Sequence, residues 1–361
     1  MKASASIRKW AWLSFILVVA LGELLWSFTP PPRAWVERWY SQGLFPAIAS
    51  WLVPAVGIAP LSLSVFGLVL VSILLVVGGC RGWLRRRRAG ESVPRVLGVG
   101  ACRVFAICVI GYGAFLAIWG AGYGRERLET RLELGSEAPT AADVLRWVAR
   151  LSGRIASSFP EPGARDREAA LASLREALVE TLSAWDGREP ALSGRVKDLP
   201  PGSLLSFGTS GVTVPFFLEA HVDSGLHETE WLAVAAHELA HVAGYCAEAD
   251  ADFAAAVAGL SARNSYARYS VELWLFQKMA AALPESESRS AHAALPPGAR
   301  EDLKISQDAH SRHRIDLLAR AQSRAYDAYL RSQRLEEGLK EYSTVVRLLV
   351  KAERKGIVRL D

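Results

Sequence analysis

The chain has 361 residues, 51% of them hydrophobic, a formal net charge of +5 and four cysteines. Nearly every long uncharged stretch lies before residue 124, so these averages join a membrane part to a water-soluble part. A disulfide framework is excluded, because Cys80, Cys102 and Cys108 lie in or beside apolar segments and Cys246 stands alone after them.

Three stretches have the roughly 20 apolar residues that a helix needs to cross a bilayer. They run over about 11–28, 59–80 and 104–123 and predict a membrane domain of residues 1–123. Only Glu23 interrupts the first; it either pairs with a neighbouring span or serves a function inside the membrane. A cleavable signal peptide would explain the first stretch alone, and no small-residue cleavage site precedes Pro30. Arginines and lysines mark the cytoplasmic side. Lys2, Arg8 and Lys9 precede the first span, and Arg81, Arg85, Arg86, Arg87, Arg88, Arg95 and Arg103 stand between the second and third. Such a juxtamembrane cluster reads as a topology signal, not as a nucleic-acid surface. The expected arrangement is a multi-pass protein of a bacterial inner membrane, with a cytoplasmic N-terminus and residues 124–361 outside. The apolar run Leu44–Ile58, broken by Pro46 and Pro54, is expected to lie on the membrane surface or pack against the spans.

Beyond Tyr123 the pattern becomes amphipathic. Val144, Val148, Leu151 and Ile155 share a helical face after Thr140 and Asp143, which read as a helix start. Leu171, Leu174, Leu178, Leu182 and Trp185 mark a second helix, with Pro160, Pro162 and Gly163 as the turn between the two. Glycines and prolines punctuate 200–223, where Val212-Thr213-Val214 and Phe216-Phe217-Leu218 favour extended structure. This predicts a short strand or hairpin, either structural or open to a peptide by strand addition. Residues 285–300 read as a loop, followed by helices over 302–332 and 336–355.

The stretch Glu228–Val242 contains no Pro or Gly and reads as a helix carrying His237-Glu238-Leu239-Ala240-His241. Histidines four apart project from one face and can share a cation. Glu238 is then placed to take a proton from a metal-bound water, and two imidazoles plus a carboxylate suit one zinc ion per chain. Gly244 can end the helix in a left-handed conformation. A second helix begins at Glu248 and puts Glu248 and Asp252 on one face, Glu248 as the third ligand and Asp252 behind a ligand histidine. Asp250 is the weaker ligand candidate; taken alone the three acidic residues would read as a helix start, but after HELAH they read as site residues, and Cys246 is the fourth ligand a closed, non-catalytic site would use. His221, Tyr245 and Tyr342 are the candidates for stabilising an oxyanion, with Arg312 and His313 also of suitable type. His227 reads as a surface or capping residue.

An HExxH helix followed by a second helix with Glu248, Ala251 and Asp252 resembles the gluzincin style of zinc peptidase. More specifically, the chain is similar to a bacterial membrane family, domain of unknown function family 3810. The likeness takes in Trp119-Gly120, Tyr123, Glu219, HELAHVAG, Glu248, Ala251-Asp252-Phe253, Tyr329-Leu330, Gly338 and Tyr342. It implies a membrane-bound zinc peptidase acting on a peptide or protein. The expected fold is mainly α: three N-terminal transmembrane helices, then a helical, zincin-like α+β domain with a small sheet or hairpin before the HExxH helix. The competing expectation is a non-catalytic, zinc-binding membrane scaffold that holds a peptide or protein partner. The lipid bilayer is a partner in both, nucleic acid in neither, and the oligomeric state stays open.

Overall fold

The computed structural model describes residues 2–161, 163–192, 195–333 and 344–360. The N-terminal third is helical: α1 (Lys2–Phe28), α2 (Arg33–Trp35), a π-helical stretch Val36–Leu44, α3 (Phe45–Ile58), α4 (Leu63–Arg88) and α5 (Val93–Ile118). Among the described residues, three helical segments are long and apolar enough to cross a membrane: Arg33–Ile58, Leu63–Arg88 and Val93–Ile118. Ser14–Phe28 of α1 is a shorter apolar stretch.

The boundaries differ from those expected. Residues 59–62 link two helices, and α4 begins only where the Ser62 hydroxyl accepts from Val65 N at 3.0 Å. At the other end α5 stops at Ile118, and Gly120–Gly124 forms a buried 3-10 turn. Glu23 of α1 packs on α5: a Cβ built on Gly113 would meet its Oε1 at 3.0 Å.

Pro46 and Pro54 do not break Leu44–Ile58, which continues one helix from Arg33. The π-helical turns explain how one face survives the join. Val36, Tyr40, Phe45, Ala49, Val53 and Val56 are all buried, and the five-residue step from Tyr40 to Phe45 falls where the register widens. The opposite face exposes Trp35, Trp39, Trp51 and Ile58. Polar locks hold this helix to the rest of the chain. Arg125 binds Glu37 at 2.9 Å and Asp186 at 2.7 Å, and Arg188 donates to the Ser41 carbonyl at 3.0 Å.

After the short helix α6 (Leu128–Arg131), α7 (Ala141–Ser158) starts at a capping box made by Thr140 and Asp143. α8 (Arg167–Asp186) starts on Asp166, whose side chain accepts from Glu168 N and Ala169 N. A mixed three-stranded sheet follows: β1 (Lys197–Leu199), β2 (Gly211–Val214) and β3 (Glu219–Asp223), in the order β1-β3-β2. β1 is parallel to β3 with Lys197 opposite His221, and β2 is antiparallel with Thr213 opposite Ala220. Phe216-Phe217-Leu218, expected to be extended, instead makes the β2–β3 turn. Leu218 closes it at φ +47°, a conformation a bulky residue holds only when its surroundings fix it, and Leu218 is buried.

The remaining elements are α9 (Glu228–Val242), α10 (Glu248–Ser261), α11 (Ser265–Ala280), α12 (Glu285–Ala294), α13 (Pro297–His313), α14 (Asp316–Ser332) and α15 (Thr344–Arg354). Residues 285–300 are therefore largely helical, because Pro284 and Pro296 stand at helix starts, where a missing N–H costs nothing. Arg314 and Ile315 divide the helix expected over 302–332. The first part of 336–355 lies outside the described residues. α7 to α11 enclose the main core around Trp147, Leu178, Leu232, Phe253, Tyr269 and Phe276. A second, smaller core joins Val36, Tyr40, Phe45 and Trp119 to Leu218, Val242 and Leu330.

Candidate metal centre

α9 carries His237, Glu238 and His241 into the seam between the two cores. Its end is a Schellman turn: Tyr245 N donates to Ala240 O at 3.2 Å and Gly244 N to His241 O at 2.8 Å, with Gly244 at φ +94°. The reversal lets α10 pack back along α9, so Glu248 faces both histidines. The turn also orients His241. The Tyr245 carbonyl stands 2.7 Å from His241 Nδ1, and a carbonyl only accepts, so Nδ1 carries the proton and Nε2 offers its lone pair.

His237 Nε2 and His241 Nε2 lie 3.2 and 3.7 Å from Glu248 Oε2. The three donors form the only such metal-competent group among the described residues, all within 4.8 Å of one another. Donors bound about 2.0–2.1 Å from a tetrahedral zinc stand roughly 3.3 Å apart, so the spacing fits the ion. Hydrogen bonding points the same way. Glu248 Oε2 is buried without a hydrogen-bond partner, a costly arrangement for a carboxylate unless a cation meets it.

Further groups hold the donors. Asp252 Oδ1 stands 2.8 Å from His237 Nδ1, and its other oxygen takes Lys278 Nζ of α11 at 2.8 Å. The Tyr326 hydroxyl of α14 donates to Glu248 Oε1. Trp119, just past α5, sets its ring 5.8 Å from that of His241. Glu238 lies against β2, where the Thr213 hydroxyl is 2.8 Å from its Oε2. Gly211 leaves it room, since a Cβ there would meet Glu238 Oε1 at 2.6 Å.

The electrostatics follow from burial and neighbours. Burial opposes charge on His237, yet Asp252 and Glu248 outweigh it and push its pKa well above the usual imidazole range: the two carboxylates call for positive charge here, as a proton on the ring or as a cation shared with it. Burial likewise opposes charge on Glu248, but His241 and His237 hold its carboxyl well below the usual range. Asp252 is buried too, and Lys278 and His237 keep it low. Glu238 goes the other way: burial pushes it up, against the pull of His237, His241 and Thr213. Two buried carboxyls of one cluster are thus pushed in opposite directions, Glu248 down and Glu238 up.

The other candidates lie elsewhere. His221 is buried in a separate network, its Nε2 2.8 Å from the Ser62 hydroxyl at the start of α4. Tyr245 buries its ring beneath Arg125 and beside Trp185, so that its carbonyl, not its hydroxyl, serves the cluster. Cys246 Sγ turns to the Trp119 carbonyl at 3.6 Å, away from the donors. Asp250 faces Arg127 at 3.8 Å and Leu128 N at 3.4 Å. His313 packs over Gly202 and Gly225, and His227 lies 3.6 Å from Asp302. Tyr342 and Gly338 lie outside the described residues. No local spacing in the sequence ties Tyr326, Lys278 or Thr213 to the HExxH helix, and only the fold brings them to the site.

Neither a curated protein nor a solved structure shows a significant match to this chain. A family model described as "Protein of unknown function (DUF3810)" matches residues 40–350, most of the length, and the chain therefore belongs to that family.

Proposed function

We propose that the protein is a membrane-anchored, zinc-dependent metallopeptidase of gluzincin style, with a zincin-like α+β domain built around α9 and α10. The observation that carries the reading is the convergence of His237 Nε2, His241 Nε2 and the partnerless Glu248 Oε2, with Glu238 buried beside them. One zinc ion held by these three donors would supply a Lewis acid and lower the pKa of water at an open position. Glu238 would be the proton carrier, accepting a proton at its carboxylate from the attacking water and giving it to the leaving amine. Thr213 fixes the Glu238 carboxylate, and Asp252 with Lys278 fixes His237. β2 lies at the end of the sheet order, so one edge is left for a peptide strand.

For topology we propose that α1, α4 and α5 cross a bacterial inner membrane. The N-terminus and the Arg85–Arg88 end of α4 are cytoplasmic, and the metal centre is extracytoplasmic. Arg33–Ile58 is then a surface helix. Its start is tied to the soluble part through Arg33 Nη1 to Arg125 O at 3.1 Å, and the link just past its end through Lys197 Nζ to Leu61 O at 2.8 Å.

The test is metal analysis of the purified full chain, followed by assay with unfolded protein substrates. About one zinc per chain in the wild type, lost in His237→Ala, and turnover abolished with zinc retained in Glu238→Gln, is the expected outcome. Zinc retained in His237→Ala would refute the ligand set. Turnover unchanged in Glu238→Gln would refute the mechanism in favour of a non-catalytic scaffold.

A further inference from the structure

Several features place the metal donors level with the ends of the apolar helices. Glu219 of β3 caps α4, accepting from Ser64 N at 2.8 Å and from Leu63 N at 3.3 Å. Exposed Val65, Phe66, Leu68 and Val69 begin the apolar surface of α4 within its first two turns. The β2–β3 turn reaches past that cap. The Phe217 ring fills the notch at Gly67, where a built Cβ would meet it at 2.8 Å. Gly67 is four residues into α4, so the ring sits about 6 Å along the helix from Leu63. Phe216 beside it is 44% exposed, and Ile58 and Leu61, just ahead of α4 in the chain, are exposed too.

The other wall is at the same level. Trp119, which touches His241, directly follows the last residue of α5. Tyr329 packs edge-on against Phe115, in the last turn of α5, at 6.3 Å between ring centres. Stacked on Tyr329 at 5.9 Å is Tyr326, which binds Glu248. The β2–β3 turn and the aromatic cluster around the donors are therefore both set beside the ends of helices suited to a bilayer.

We infer that the site takes membrane-anchored polypeptides and cuts them within a few residues of the anchor, with Phe216 immersed in the outer leaflet beside the cut. This rests on the peptidase reading and narrows its substrate class. A peptide strand added along β2 would lie next to a turn already in the apolar layer, so a chain leaving the bilayer reaches Glu238 without a long spacer. An unanchored chain has to be drawn to the same surface first.

The experiment uses the full chain, zinc-loaded, in vesicles of phosphatidylethanolamine and phosphatidylglycerol. The probe is a single leucine-rich transmembrane helix bearing a polar tail of identical short repeats, each about 20 Å long when extended. The same tail without the helix is the second probe, and cut positions are read by mass spectrometry. Cleavage at least tenfold faster in the repeat next to the anchor than in the farthest repeat is expected. Phe216→Asp should lower that near-anchor cleavage at least tenfold and leave the free tail within about twofold. Equal cleavage of all repeats would overturn the inference and leave the peptidase reading standing. No cleavage of either probe by zinc-bound protein would overturn both.

Discussion

Two buried glutamates in one fold show how differently a carboxylate can be used. Glu219 and Glu248 are 2% and 4% exposed, so each has lost its water. Glu219 is fully answered by protein. It accepts from Ser64 N and Oγ at 2.8 and 2.6 Å and meets Lys197 Nζ at 3.1 Å. Glu248 has Tyr326 on one oxygen and only two imidazole nitrogens, with no hydrogen bond, facing the other. A carboxylate supplied with donors and a lysine is a structural joint, here between β3 and α4. One left with an open oxygen among histidine nitrogens calls for a cation. The comparison separates stability from chemistry, and variants on each side should move different measurements.

The largest effect belongs to the chemical side. Glu238→Gln should lower turnover by about 10²–10⁴-fold, the usual contribution of a positioned general base, with zinc content unchanged. On the structural side, Glu219→Ala leaves Lys197 buried without its partner. Removing one member of such a pair costs about 3–5 kcal/mol. The thermal midpoint in detergent should fall steeply while surviving folded protein still binds zinc. Zinc lost from folded Glu219→Ala protein would erase the distinction.

The same joint has a pH signature. Burial opposes the Glu219 charge, but His221, Ser64 and Lys197 outweigh it and hold the carboxyl far below its usual range. A carboxylate depressed on folding adds stability that is complete above its unfolded pKa, near 4.5, and is lost as pH falls toward the folded value. Acid unfolding of the wild type below about pH 4.5 should therefore be steeper than that of Glu219→Gln. Coincident profiles would show that the joint does not depend on this charge. A smaller effect is expected at the outer support of the candidate metal centre. Asp252→Asn keeps the shape but weakens the hold on His237, and zinc affinity should drop about 10–100-fold by competition with a chelator.

The parts of this molecule legible in its sequence are those set by local chemistry. Glu228–Val242 lacks Pro and Gly, its histidines are four apart, and Gly244 ends it; each constraint acts within a few residues. The Thr140–Asp143 capping box and the apolar runs of α4 and α5 are equally local. What was not legible depends on distant partners. β1 has three residues and exists by pairing with β3, more than 20 positions away. Tyr326 meets Glu248 across 78 residues, and Lys278 meets Asp252 across 26. Prolines misled in both directions. Pro54 sits inside a helix whose buried face packs on the second core, while Pro284 and Pro296 start helices where a loop was expected.

The smallest predicted effect tests whether β2 belongs to the chemical side or the structural one. Thr213 is buried on the sheet's end strand, and its hydroxyl reaches both Glu238 Oε2 at 2.8 Å and the Glu238 carbonyl at 3.0 Å. Thr213→Val keeps the branched shape and removes the hydroxyl, so the strand should persist while the carboxylate loses a fixed partner. One such bond is worth about 1 kcal/mol, or roughly fivefold in rate. If β2 serves the chemistry, kcat falls by about that factor, KM and zinc content stay put, and Thr213→Ser restores the rate. If it serves only the sheet, the thermal midpoint falls and kcat of the folded fraction does not. The hydroxyl bridges the strand a peptide would pair with and the group that would move the proton, so a kcat effect would tie substrate alignment to the base in one residue.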